Sequence, residues 1–112
     1  MSDLITQRVV AFASAARTAT DTSAQITLPS SAQSIAIAME TTAYSTGTFT
    51  AKIQHSLDGA QWEDVTGATT GAIGATGLKT GAASIPVLPL VRVVLTGAST
   101  PSATQRVFIV YR

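Results

Sequence analysis

Along most of this chain, large apolar residues alternate with small or polar ones at every second position. That period belongs to a β-strand, whose successive side chains point to opposite faces. In Ile35-Ala-Ile-Ala-Met39, the residues Ile35, Ile37 and Met39 share one face, and Ala36 and Ala38 the other. From Phe49 to Leu57, one face carries Phe49, Ala51, Ile53, His55 and Leu57. The opposite face carries Thr50, Lys52, Gln54 and Ser56, as a half-solvated antiparallel strand requires. Leu90 to Thr96 and Arg106 to Tyr111 are the richest β-branched and aromatic runs. Shorter strands are expected at Ile5 to Phe12, Ala24 to Leu28, Gln61 to Val65 and Ser84 to Leu88. Turn residues separate them at Pro29-Ser-Ser, Thr46-Gly47, Asp58-Gly59, Pro86, Pro89 and Gly97 to Pro101. Arg8 to Arg17 is dense in alanine and offers a helical alternative, but no capped amphipathic face of useful length emerges. The expected fold is all-β: an antiparallel two-sheet β-sandwich, jelly-roll or Ig-like, with seven or eight short strands.

With 112 residues the chain is one domain, 1–112. At this size a fold buries roughly 60–70% of the surface its unfolded chain exposes, which allows a modest core. The 0 cysteines exclude a disulfide scaffold and thiolate metal sites, and 1 histidine excludes an imidazole cluster. Asparagine is absent, which removes any N-glycosylation acceptor. Net charge is +1, from 7 basic and 6 acidic residues, with no basic run or stripe of the kind that binds nucleic acid. No apolar stretch approaches the length of a membrane-spanning helix. The start, Met1-Ser-Asp-Leu-Ile-Thr-Gln-Arg8, lacks the basic and apolar regions of a signal peptide, so synthesis and assembly in a cytoplasm are expected. Only 12% of residues are charged, which suits a subunit whose surface is largely covered by neighbours better than a lone monomer.

One stretch departs from the alternating pattern. Gly67 to Gly81 holds five of the 8 glycines, at a spacing that excludes a collagen repeat. Residues 66–84 read as a Gly/Ala/Thr-rich loop or an open meander, and alternatively as an arm that orders against a neighbouring subunit. Residues 1–23 read as an N-terminal strand or arm.

The chemistry-bearing residues gather around one hairpin. His55, Ser56 and Asp58 contain the ingredients of a hydrolytic triad, but neighbouring strand residues face opposite ways, and no serine sits in a nucleophile elbow. His55, between Ile53 and Leu57, reads as a satisfied core residue. Asp58, Glu63 and Asp64 could offer oxygen ligands to Ca²⁺, yet the EF-hand order is missing and six or more ligands are not evident. Gly71, Gly74 and Gly77 are wrongly spaced for a dinucleotide fingerprint, and Lys79-Thr80 lacks the glycine of a phosphate-binding loop. No catalytic, cofactor or metal site is therefore assigned. Asp58-Gly59 makes the tight turn, and Trp62, the single tryptophan, is expected to fold back as a core anchor together with Ile53 and Ile37.

The same hairpin carries a resemblance. Ser56-Leu-Asp-Gly-Ala-Gln-Trp-Glu-Asp-Val65 resembles the strand, Ser-x-Asp-Gly, Trp, Asp-Val signature of small β-sandwich structural proteins in tailed-phage virions. Ile26-Thr-Leu-Pro29 followed by Ser34 to Met39 resembles their Leu-Pro and alternating-strand segment. Leu88-Pro-Leu-Val-Arg-Val-Val-Leu-Thr-Gly97, then Ser99 to Thr104 and a last strand, fits the end. The likeness covers about residues 24–112 and rests on fold-level motifs. It implies a non-enzymatic virion subunit, such as a capsid decoration or cement protein, or alternatively a neck or tail component. The implied partners are the major capsid protein or neck and tail subunits, and copies of the chain itself in a homo-oligomer, with no nucleic acid, membrane or cofactor.

Leu90–Leu95 and Val107–Tyr111 have too many large residues for one face of a two-layer fold. Val94, and Phe108 or Val110, are therefore expected to face either the second sheet or a partner chain, and the interface expected comprises Val94, Phe108 and Val110 with Ile73 and Leu78 from the Gly-rich segment. A small glycan-binding sandwich, using Tyr44 or Trp62 as stacking rings, is a further alternative, weakened by an aromatic content of only 5%.

Overall fold

The alternation becomes seven antiparallel strands among the described residues: β1 (Gln7–Arg17), β2 (Asp21–Thr22), β3 (Ile26–Thr27), β4 (Ile35–Ser56), β5 (Glu63–Ile73), β6 (Gly77–Ala82) and β7 (Leu90–Tyr111). The structure, a computed structural model, describes residues 7–29, 32, 34–84 and 86–112. The beginning of the expected Ile5–Phe12 strand, the Ser30-Ser31 turn and Ile85 lie outside the described residues. All strands belong to one sheet, ordered β1-β7-β4-β5, with β2 and β3 also paired to β7 and β6 also paired to β4.

Several expectations need correction. The strands are not uniformly short: the two expected between Ile35 and Leu57 are one strand of 22 residues, and so are the two between Leu90 and Tyr111. The strand expected to end at Phe12 is present from Gln7 and runs on through the alanine-dense stretch to Arg17 as β1, paired with β7 from Gln7↔Tyr111 to Arg17↔Ala103. Residues 66–84 are the open meander of the two expected alternatives and not the loop. They contain most of β5 and all of β6, which pair in succession along the two halves of β4. The strand expected at Ala24–Leu28 shrinks to Ile26–Thr27, and the described residues of Ser84–Leu88 form none.

The two long strands cannot be straight. Twenty-two residues at about 3.3 Å each would span roughly 70 Å, whereas the molecule is 44 Å along its longest axis. The bend falls where the β4–β7 pairing slips three times between Thr41 and Thr48. Gly47, at φ +71°, lies there against the backbone of Ala98 and Pro101, where a Cβ would collide. Ser99 and Thr100 also take positive φ.

The bend divides the sheet into two arms. The first consists of β1, residues 35–41 of β4, β6 and residues 105–111 of β7. The second consists of β2, β3, residues 49–56 of β4, β5 and residues 90–97 of β7. In both arms the odd-numbered residues of β4 and β7 are buried, apart from the half-buried Gly97 and Tyr111, and the apolar side chains among them join one cluster. Ile37 and Ile53, the expected core anchors, are completely buried. Such burial contributes about 2 kcal/mol per side chain.

Candidate functional site

The hairpin that gathers the chemistry-bearing residues uses them to hold itself together. His55 points inward and is 4% exposed. Its Nδ1 accepts the Leu88 N–H at 3.1 Å, and its Nε2 lies 3.3 Å from Glu63 Oε1. An accepting Nδ1 places the ring proton on Nε2, facing Glu63. The Ser56 hydroxyl oxygen accepts the turn N–H groups of Gly59, at 2.9 Å, and Asp58, at 3.3 Å. Asp58 in turn accepts the Ala60 N–H at 2.9 Å, and this bond chiefly holds its carboxyl below the usual range.

The three neighbouring carboxylates go to three different partners. Asp64 accepts from Gln54 Nε2 at 2.9 Å and Lys52 Nζ at 3.0 Å, and these two bonds, Gln54 first, lower its pKa. Glu63 meets His55, and Asp58 closes the turn. Among the described residues no three metal-ligating side chains come together.

Trp62 is not the core anchor expected. The pairing His55↔Glu63 sets Trp62 across from Ser56, on the outward side, before β5 begins. It is half-buried, donates its indole N–H to Gly59 O at 3.1 Å, and carries the Arg92 guanidinium 4.3 Å from its ring centre. Arg92 Nε also donates to Gln54 Oε1 at 2.9 Å. The outward face of the second arm is thus a connected ladder of Lys52, Asp64, Gln54, Arg92 and Trp62.

The outward face of the first arm has the opposite character. Register sets it out in three rows across β1, β7, β4 and β6. The outer row is Arg8, Val110, Ala36 and Ala82. The middle row is Val10, Phe108, Ala38 and Thr80. In the inner row, next to the bend, Arg106, Glu40 and Leu78 lie side by side. Val10 is 54% exposed and Leu78 62%, while Phe108, Val110, Ala36 and Ala38 are half-buried. The polar groups lie around this surface. Arg106 Nε donates to Glu40 Oε1 at 2.6 Å, and the guanidiniums of Arg8 and Arg106 lie 5.0 and 5.1 Å from the Phe108 ring centre.

Three of the five expected interface residues therefore share one face: Phe108, Val110 and Leu78. Val94 is half-buried and outward but belongs to the second arm, opposite Lys52. Ile73 is a correction. It pairs with Phe49 and lies in the core at 8% exposure, because β5 turns that residue inward. Sequence reasoning missed Val10, Arg106 and Glu40. The alternating alanines of Ala36 and Ala38 were the visible signal for a flat outward face, but only long-range register sets them beside Val110 and Phe108.

A cavity of about 500 Å³ opens at the loop end of the molecule, among Leu28, Pro29, Ile35, Pro86, Val87 and Pro89. Its lining among the described residues is apolar apart from Ser34 and Ser84, and the Ser84 hydroxyl already donates to Thr66 O at 3.1 Å. Compared with protein-family models and with curated proteins, the chain matches none.

Proposed function

We propose that this protein is a non-enzymatic structural subunit that acts by protein–protein contacts, as a capsid decoration or stabilising subunit of a tailed-phage virion. A neck or tail position in the same particle is the alternative. The outward face of the first arm carries this reading: Val10 and Leu78 stand exposed on a four-stranded surface beside the half-buried Phe108 and Val110, and its charges are the Arg106–Glu40 pair and Arg8, with both arginines against the Phe108 ring. Exposed apolar patches rimmed by polar groups mark interaction surfaces. The assignment to a virion rests on the resemblance of residues 24–112. Assembly also gives a purpose to the low charge, since a covered surface needs little solvation.

The same reading includes a finer architecture. The sheet folds over at its bend, so that the two arms stack as the layers of a β-sandwich. Burial of alternate residues in both arms, with no helix among the described residues to cover them, supports this, as does a shortest dimension of 21 Å. Stacked sheets lie about 10 Å apart, and outward side chains account for the remainder. The glycan-binding alternative is disfavoured, because Arg92 lies over the Trp62 ring on which a sugar would stack.

Mass spectrometry of gradient-purified particles tests the reading. The chain is expected at a stoichiometric copy number relative to the major capsid protein. Its absence from intact particles would overturn the virion assignment.

A further inference from the structure

We infer that the outward face of the first arm binds the same face of a second copy, across a two-fold axis that runs parallel to the strands between β4 and β7. This inference rests on the assembly reading and specifies its first partner. Such an axis leaves each row where it is and exchanges β7 with β4. Phe108 of one copy then faces Ala38 of the other, and Val110 faces Ala36. Each large side chain of β7 meets a methyl group on β4, so two surfaces that are uneven alone fit as knobs and hollows.

The charged row obeys the same exchange. Arg106 and Glu40 are direct neighbours across β7 and β4, so the axis puts Arg106 of each copy over Glu40 of the other. Opposite charges meet twice, and no like charges are superimposed in this pair. Val10 and Leu78, the most exposed apolar residues of the face, lie on its two flanking strands and extend the contact beyond the central strands. Isologous contacts of this type are the commonest in homo-oligomers. Aligned packing of two sheet faces keeps their strand directions within about 30° of each other, a range that this axis respects.

The area sets the strength. Four strands about 4.8 Å apart and five residues of about 3.3 Å give roughly 300 Å² of face per copy. A standard interface takes about 800 Å² per partner, so the pair is weak and reversible in dilute solution. Repetition in an array is what would make it hold.

Sedimentation velocity on the full chain, from roughly 10 μM to 1 mM, tests the inference. The wild type should move from monomer toward dimer as concentration rises. Ala38→Arg, an outward and half-buried position, should lower the association constant roughly tenfold or more by filling the hollow with an unpaired charge. Glu40→Arg and Arg106→Glu should each fail to self-associate, yet an equimolar mixture of the two should form heterodimers, because every exchanged charge then meets its opposite. That mixture decides the matter even if Ala38→Arg does not fold. A wild type that stays monomeric at 1 mM would overturn this pairing, as would an Ala38→Arg protein that dimerises normally or a mixture that does not associate. An oligomer that persists in Ala38→Arg leaves the assembly reading standing and moves its contact elsewhere. Absence of the chain from purified particles would instead strike the virion assignment alone.

Discussion

Asp64 shows how single residues of this protein serve the fold. Its carboxylate joins Lys52 and Gln54 on the outward face of the second arm, and those bonds hold its pKa below the usual value. A group whose pKa is lower folded than unfolded takes up protons more readily in the unfolded chain. Its contribution is therefore complete above the unfolded value, near pH 4, and is lost as the pH falls through the folded one. Asp58 shifts in the same direction, through its bond from Ala60. Stability measured by urea denaturation should decline below about pH 4. Asp64→Asn should flatten part of that decline and cost at most about 1 kcal/mol at pH 7, since the pair is exposed and screened. An unchanged acid slope would show that the Lys52–Asp64–Gln54 contact does not persist in solution. The cluster of Asp58, Glu63 and Asp64 was plain in the sequence, but what each carboxylate binds was not. Asp58 bonds within its own turn, and the β4–β5 register, with its slips at Lys52, sends Glu63 and Asp64 to separate partners.

At the scale of elements, the alternating pattern was legible and the continuity of the strands was not. Thr46-Gly47 and Gly97 to Pro101 have the composition of turns, and the same residues bend a strand whose partner bends beside it. Local composition cannot tell these cases apart, because what keeps β4 and β7 continuous is their mutual pairing from Ile35↔Tyr111 to Ser56↔Leu90. The Gly-rich segment misled for a related reason. As edge strands, β5 and β6 need only backbone bonds to β4, so small residues suffice. Glycine also permits β6 to press against β5. A Cβ on Gly81 would run into the Thr69 carbonyl, whereas one on Gly71 would meet nothing within 4 Å. Gly81→Ala should therefore cost roughly 2–3 kcal/mol by overpacking. Gly71→Ala, strained only by its φ of +70°, should cost about 1–2 kcal/mol. Guanidinium midpoints would rank the two, and equal costs would contradict the close approach of β5 and β6.

The whole molecule is a bent sheet whose two outward faces differ in chemistry. One holds the polar ladder that ends at Arg92 and Trp62. The other holds Phe108 and Val110 beside two alanines, with Val10 and Leu78 exposed at its flanks. That Phe108 or Val110 faces away from its own layer's core could be expected from the excess of large residues in Val107–Tyr111. Its arrangement depended on strand order, which no local pattern encodes. On the pairing proposed above, copies of the chain meet at this face, with β7 of one over β4 of the other. Isotope-filtered NMR on a mixture of labelled and unlabelled protein, at a concentration where dimer is populated, observes that contact directly. Cross-peaks between the Phe108 ring of one copy and the Ala38 methyl of the other are predicted. A populated dimer without them, or with intermolecular cross-peaks confined to the Trp62 face, would contradict the account.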